Sequence, residues 1–259
     1  MKQMLRLFIA LLMCTCLSAP VLALELGSDI TIYDKNSTAE TGWYSAQEDD
    51  EVEPGMAASQ AWDLEGFFLG QNSLSMVGGF NFTAGVTGYE KYSSGDIFIS
   101  TGTPEFGVSV LSGVQNNISV ENRYGYDYVL DLNFSDDSYT VYEIDENTRV
   151  LTAYYLQNEG SSPWQYVSGG QDTGIEGQFL FHSNLTDTGF LGTSHYALTG
   201  FDLSFLGHDT EFYAHFTMGC GNDNLMGQGT VVPEPSTFLL LAAGGGLLWL
   251  ARRKTAPEN

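Results

Sequence analysis

Apolar and polar residues alternate with a period of two along much of residues 24–230, and this alternation constrains the fold more than any other feature of the sequence. Residues 127–134 show it most clearly, because every second side chain is large and apolar. One face carries Tyr128, Leu130, Leu132 and Phe134, and the other carries Asp127, Val129, Asp131 and Asn133. Successive side chains of a strand point to opposite faces, so this segment is predicted to be a half-buried β-strand.

Two more alternating segments follow at short spacing. Residues 138–144 come after the turn-forming residues 135–137, and residues 149–157 come after the polar residues 145–148. Short polar connections between alternating segments are typical of β-hairpins. The three segments are therefore predicted to form an antiparallel meander.

The same pattern predicts strands in the rest of residues 24–230, which we call the body. In residues 195–207 one face carries Phe201, Leu203 and Phe205, and in residues 210–218 one face carries Phe212, Ala214, Phe216 and Met218. Weaker strand candidates are residues 29–34, 73–82, 95–100 and 106–112, whereas helical periodicity is limited to residues 56–64. About nine or ten strands, with turns every 8–12 residues or so, predict an all-β single domain, an antiparallel β-sandwich or jelly-roll-like fold over residues 24–230.

The first 23 residues have the organisation of a secretory signal peptide. Lys2 and Arg6 precede an apolar run over residues 7–17, and Val21 and Ala23 supply the small residues of a cleavage site. Cleavage is therefore predicted after Ala23. The alternative, an N-terminal anchor helix, fits less well because the run is shorter than the roughly 18 apolar residues that a membrane span requires.

The remaining chain is strongly acidic. The whole sequence carries 32 Asp and Glu against 9 Lys and Arg, for a formal net charge of −23. The cations between residues 24 and 235 are Lys35, Lys91, Arg123 and Arg149. Such a surface repels nucleic acid and anionic lipid, so no nucleic-acid partner is predicted. The acidic, proline-bearing residues 45–55 are predicted to form a mobile loop.

No pattern typical of a catalytic site or a metal site is present. The sequence lacks a nucleophile elbow, a phosphate loop, a zinc-binding helix motif and EF-hand spacing. The histidines at positions 182, 195, 208 and 215 are predicted to be ordinary surface or hydrogen-bonded residues. Cys220, the one cysteine outside the predicted signal peptide, is predicted to be buried. We expect no catalytic residue. Carboxylate pairs such as Asp127 with Asp131 leave a glycoside hydrolase as a remote alternative.

Two segments contain candidates for ligand binding. Trp164 and Tyr166 lie in the loop-like residues 161–170, where exposed aromatic rings stack on sugars; the alternative is that Trp164 packs into the sandwich edge. Asn222 and Asp223 lie between glycines, in a predicted tight turn whose side-chain oxygens cap backbone amides. They are also weak candidates for a cation site, so Ca²⁺ is the one cofactor considered.

The C-terminal region contains a short apolar segment between prolines and cations. Residues 238–250 span about 20 Å as a helix at about 1.5 Å per residue, whereas a bilayer core measures about 30 Å. Pro233 and Pro235 prevent the helix from extending backwards. Arg252 and Arg253 are expected on the cytoplasmic side. The physical prediction is a marginal, transient anchor with a defined orientation.

This order of features, Pro233-Glu234-Pro235, a short apolar helix and then Arg252-Arg253, resembles the PEP-CTERM sorting signal over residues 231–254. The resemblance implies recognition by an exosortase, a membrane cysteine protease-transpeptidase, in Gram-negative bacteria that make exopolysaccharide. It also implies transient contact with the inner membrane through residues 238–250, followed by delivery to the cell surface or extracellular matrix.

The resemblance covers about 25 residues and implies nothing about the fold of the body. Together with the missing catalytic motifs, it suggests a secreted, non-enzymatic protein with a structural or adhesive role in exopolysaccharide or biofilm. The alternative is a carbohydrate-binding module, with or without Ca²⁺, that uses Trp164 and Tyr166.

Overall fold

The computed structural model describes residues 24–33, 52, 56–88, 91–104, 118–154, 161–192 and 194–232. The predicted signal peptide, the acidic loop apart from Val52, the strand candidate over residues 106–112 and the tail from Pro233 onwards lie outside these residues.

Within the described residues, the chain forms sixteen β-strands and two short 3₁₀-helices. The strands are β1 (Ser28–Asp29), β2 (Leu64–Leu69), β3 (Ser73–Gly78), β4 (Val86–Thr87), β5 (Lys91–Tyr92), β6 (Ile97–Ser100), β7 (Ser119–Glu121), β8 (Tyr128–Asn133), β9 (Ser138–Glu143), β10 (Arg149–Leu151), β11 (Gln165–Ser168), β12 (Gln171–Gln178), β13 (Leu180–Leu185), β14 (His195–Asp202), β15 (Glu211–Thr217) and β16 (Asn224–Thr230); the 3₁₀-helices are Gln60–Trp62 and Ser204–Leu206.

The strands pair antiparallel into two main sheets, which confirms the all-β prediction. The five-stranded sheet has the order β1-β2-β3-β14-β13, and the six-stranded sheet has the order β12-β9-β8-β6-β15-β16. Side chains from both sheets form one buried cluster. In β15, the predicted face of Phe212, Ala214 and Phe216 lies fully inside this cluster, because burying every second side chain is how a strand contributes to a core between sheets.

The two main sheets are joined along both edges. On one side, β12 runs into β13 through the single residue Phe179, so one nearly continuous strand passes between the sheets. On the other side, the amide of Ile30 donates to the carbonyl of Phe67 in β2 (2.9 Å), and the amide of Gln228 in β16 donates to the carbonyl of Ile30 (2.9 Å). Strands that change sheets in this way form the corners of closed sandwiches.

A third layer covers part of the six-stranded sheet. The three-stranded sheet β11-β10-β7 packs on its outer face and encloses a second apolar cluster. The buried members of this cluster are Phe98, Tyr124, Tyr126, Val129, Ile144 and Val150. Val129 was expected to lie on the polar face of its strand; that face is buried here because the third layer excludes water from it.

The predicted meander is correct for two strands and wrong for the third. β8 and β9 form the expected hairpin, with the turn at residues 134–137. β10, however, pairs with β7 and β11, and the second neighbour of β9 is β12. Alternation along one segment does not specify which strand it pairs with, so the sequence pattern did not distinguish these arrangements.

The weak helical pattern over residues 56–64 corresponds to little helix. Only Gln60–Trp62 forms a 3₁₀-turn, and β2 begins at Leu64. Nowhere in the described part of the chain is a helix long and apolar enough to cross a membrane.

Candidate functional site

Trp164 is buried, with only 7% of its surface exposed, so its ring is not available to stack on a sugar. The ring packs over Gly219, where an added Cβ would lie 3.4 Å from it. The loop interpretation is correct for the backbone at Trp164, but residues 165–168, which include Tyr166, form β11. The exposed placement of the Trp164 ring is wrong. The alternative of a ring packed into the sandwich edge describes its position.

The reason lies in the hydrogen bonds of residues 161–166, which attach this segment to β10 of the three-stranded sheet on one side and to the six-stranded sheet on the other. Trp164 donates its amide to Leu151 (3.0 Å), and its carbonyl accepts from the amide of Asp96 (2.8 Å). The carbonyl of Pro163 accepts from Nε2 of His215 in β15 (2.9 Å). A segment bonded on both sides cannot swing outward, so its apolar side chain fills the interior.

Tyr166, two residues further, lies half-buried at the margin of the third sheet. Its ring stacks on Tyr142 of β9, with centroids 4.7 Å apart and an interplanar angle of 19°. Its hydroxyl donates to the carbonyl of Gly169 (2.7 Å), which fixes the ring orientation. The structure therefore pairs the predicted Tyr166 with Tyr142, a residue that the sequence analysis did not single out.

Three carboxylates surround this pair. Asp172 of β12 lies directly opposite Tyr142. Thr140 is the neighbouring residue on the same face of β9, and it lies opposite Asp131 of β8 on one side and Glu176 of β12 on the other. Directly opposite side chains of antiparallel strands share a face about 5 Å apart. We call the set Tyr142, Tyr166, Asp131, Asp172 and Glu176 the tyrosine face.

The tyrosine face is electrostatically negative. Partial burial raises the pKa of both phenols, and the charges of Asp131 and Asp172 raise them further. Glu176 adds to the effect on Tyr142. A negative surface around exposed aromatic rings favours cationic and polar ligands over anionic ones.

Asp96 lies beneath this face and is only 2% exposed. Its carboxylate accepts from the amide of Leu132 (2.9 Å) and from the amide of Tyr166 (2.8 Å), so it connects β8 to β11. Burial raises its pKa to about 8, with a further contribution from Asp131, against the opposing effect of the two amides. Because it is enclosed, Asp96 positions Tyr166 and is out of reach of a substrate.

The tight turn lies at residues 219–220, slightly before the predicted position, and Asn222 lies in a bend that leads into β16. The side chains of Asn222 and Asp223 bind backbone groups. Asn222 accepts from the amide of Ala57 and donates to its carbonyl, both at 3.0 Å, and Asp223 accepts from the amide of Leu64 (2.6 Å). Both residues are buried. Among the residues that the structure describes, no group of three or more His, Cys, Asp or Glu side chains is placed to hold a metal ion.

Of the remaining titratable candidates, three are enclosed as well, namely Cys220, His215 and His195, whereas His182 is half-buried and His208 is exposed. Cys220 is buried as predicted, and burial raises the pKa of its thiol to about 12. Burial lowers the pKa of His215 to about 4, and its ring stacks on Tyr126. His195 forms a buried ion pair with Glu65. His182 contacts the hydroxyl of Thr199 through Nε2 at 3.0 Å.

Tyr142 was within reach of sequence analysis. In the predicted strand over residues 138–144, Ser138, Thr140 and Tyr142 share the face opposite to Tyr139 and Val141. A large aromatic residue on the polar face of a strand is a usable signal for a binding surface. Its pairing with Tyr166 depends on the position of β11, which no local pattern specifies.

The body ends where the proline-containing tail begins. Val231, just after β16, is fully buried; its amide donates to the carbonyl of Thr210 (2.9 Å), and its carbonyl accepts from the amide of Asp209 (2.8 Å). Val232 is 46% exposed, and the residues from Pro233 onwards lie outside the described part. Within the described residues, Val231 is therefore the last buried residue, two positions before Pro233.

Comparison with protein families gives one match: residues 231–254 match the PEP-CTERM protein-sorting motif. Pro233, Glu234, Pro235, Arg252 and Arg253 all fall within the matched range. No curated protein and no solved structure matches the chain.

Proposed function

From the PEP-CTERM sorting motif that this chain carries, we propose that the protein is a non-enzymatic β-sandwich with a structural or adhesive role at the cell surface or in the extracellular polysaccharide. The motif implies an exported protein that is sorted by an exosortase. The match over residues 231–254, which begins at the buried Val231, is the observation that carries the proposal.

The junction between body and tail suits removal of the tail. The last residue held by the core, Val231, is bonded to residues 209 and 210, which precede the motif. Cleavage near Pro235 would leave these bonds and all of β16 in place. We therefore propose that the processed body keeps its fold and that the tail serves sorting alone.

A non-enzymatic role is supported by the positions of the reactive groups. Asp96, His215 and Cys220 have strongly shifted pKa values, which are common at catalytic sites. All three are buried, and Asp96 and His215 have hydrogen-bond partners in the backbone. Their shifts therefore follow from enclosure, and a substrate would not reach them.

Replacement of Pro233, Glu234 and Pro235 by alanine tests the sorting proposal in a host that contains an exosortase. Intact-mass measurement of secreted wild-type protein should give a C-terminus near Pro235, and the triple variant should keep residues 236–259. A matched control, P257A/E258A, changes a proline and a glutamate outside the motif and should be processed normally. Full-length protein in the membrane, unchanged by loss of the exosortase, would contradict the proposal.

A second candidate function, carbohydrate binding, is favoured by the stacked rings of Tyr142 and Tyr166. Trp164 plays no direct part in it, because its ring is buried. Exported protein applied to an array of neutral, cationic and acidic glycans, with and without EDTA, tests this candidate and its dependence on Ca²⁺. Absence of binding to every glycan would exclude it.

A further inference from the structure

The rings and charges of the tyrosine face limit the classes of ligand that it can bind. Two aromatic rings lie face to face at a half-exposed position, and three carboxylates border them. Cations are attracted to the faces of tyrosine rings, and neighbouring carboxylates strengthen that attraction. An anionic polymer would be repelled both by these carboxylates and by the net negative charge of the whole protein.

We propose that the tyrosine face binds a polysaccharide that carries free amino groups, in which a sugar ring packs on the tyrosines and its ammonium groups pair with Asp131, Asp172 and Glu176. This inference rests on the carbohydrate-binding candidate and deepens it by naming the charge of the sugar.

The position of the face within the sheet favours a sugar over a basic peptide. Tyr142 lies in β9, which is paired with β8 on one side and with β12 on the other. The backbone groups of β9 are therefore used within the sheet, and a peptide cannot bind there by adding a strand. Only side chains are presented there, and a sugar ring can pack against the ring edges and the outer ring faces that the stacking of Tyr142 on Tyr166 does not cover.

The two rings are held ready for such a ligand. Tyr166 is fixed at its backbone by Asp96 (2.8 Å) and at its hydroxyl by Gly169 (2.7 Å). Tyr142 is held by the strand pairing of β9. Groups that are already ordered lose little conformational entropy on binding, so a modest contact area gives usable affinity.

The test uses the exported protein and four probes in low salt. These are a glucosamine hexamer with free amines, the matching N-acetylglucosamine hexamer, an alginate oligomer and hexalysine. Calorimetry should show binding of the glucosamine hexamer about tenfold tighter than binding of its acetylated form, since cation–π and carboxylate contacts together contribute on the order of 1.4 kcal/mol. Alginate should not bind.

Variants separate the tyrosine face from the general acidity of the protein. D131N/D172N/E176Q should weaken glucosamine binding about tenfold, whereas E25Q/E146Q/D187N removes the same charge from exposed positions elsewhere and should change it less than about twofold. Y142L should abolish the preference for the glucosamine hexamer, and Y142F, which keeps the ring, should retain it.

Four results would each overturn the inference: equal binding of the two hexamers, equal weakening by the two charge triples, hexalysine binding as tight as glucosamine binding and unaffected by Y142L, or no binding of any probe. None of them would alter the C-terminal mass of the secreted protein, so failure of this inference is distinguishable from failure of the sorting proposal.

Discussion

Nε2 of His195 lies 3.1 Å from Oε1 of Glu65, and both side chains are enclosed, with side-chain exposures of 1% and 0%. The same nitrogen lies 2.7 Å from the carbonyl of Leu191, and Nδ1 lies 3.2 Å from the carbonyl of Leu185. Carbonyl and carboxylate oxygens only accept hydrogen bonds. Both ring nitrogens therefore face accepting oxygens, and the imidazole and the carboxylate form one buried polar pair.

Removal of the carboxylate charge should destabilise the protein strongly. E65Q keeps the size of the side chain and an accepting oxygen, but it removes the carboxylate charge that faces Nε2 of His195. A buried pair that loses one partner typically costs about 3–5 kcal/mol. Urea denaturation should show a loss of this size for E65Q, and the exposed E25Q serves as the control. The double variant E65Q/H195Q should lose less than the sum of the single variants, and strict additivity would contradict the pairing.

His215 should make the protein less stable in acid. Burial lowers its pKa to about 4, below the value near 6.5 of an unfolded histidine, so the folded state binds fewer protons than the unfolded state between these values. Its contribution is present above pH 6.5 and is lost as the pH falls through 4. H215Q keeps a donor for Pro163, so its free energy of unfolding should fall less than that of the wild type between pH 6.5 and 4. If the free energy of unfolding of H215Q and of the wild type changed equally between pH 6.5 and 4, the assigned effect of His215 would be refuted.

Asp96 should make the protein less stable as the pH rises, which is the opposite of the effect of His215. Burial, with a contribution from Asp131, raises its pKa to about 8 from 3.8, so the folded state binds the extra proton between these values. Its contribution to stability is complete below pH 3.8 and is lost as the pH rises through 8. D131N removes the neighbouring charge and lowers this pKa, so the loss should move to lower pH. E146Q, an exposed change of equal charge, should leave the midpoint in place; an equal movement in both variants would exclude a specific effect of Asp131.

These positions show why alternation predicted some features and missed others. β15 and the β8–β9 hairpin were predictable because a strand with one buried face reveals that face in its own sequence. The placement of β10 and the enclosure of Val129 depend on the three-stranded sheet, whose partners are distant in sequence. For Trp164, serine and proline indicated irregular backbone correctly, but its burial results from hydrogen bonds to residues 96 and 151.

The bend at Asn222 should respond to mutation as a structural element and should not respond to calcium. N222A removes both hydrogen bonds to Ala57, and leaving buried polar groups unpaired costs about 1–3 kcal/mol. N222D keeps the acceptor but sets a carboxylate against the carbonyl of Ala57, so it should also be destabilising. The exposed Q178A is the control. Addition of Ca²⁺ should leave the melting temperature unchanged. A calcium-dependent rise that N222D abolishes would instead make this bend a cation site.

The absence of a side chain at Gly177 is required where the two main sheets meet. An added Cβ would lie 2.3 Å from both the ring carbon Cζ and the hydroxyl oxygen of Tyr139 in β9, and that oxygen accepts from the amide of Asp202 in β14 (2.9 Å). G177A should therefore displace the phenol and break a bond between the sheets, at a cost of about 1–3 kcal/mol. G102A adds a methyl group where nothing lies within 4 Å and should be nearly neutral in urea denaturation. In a Y139F background the bond to Asp202 is already missing, so G177A should cost less there, although the contact with the ring carbons remains. The same cost in both backgrounds would show that the conflict is with the ring or backbone and not with the bond to Asp202.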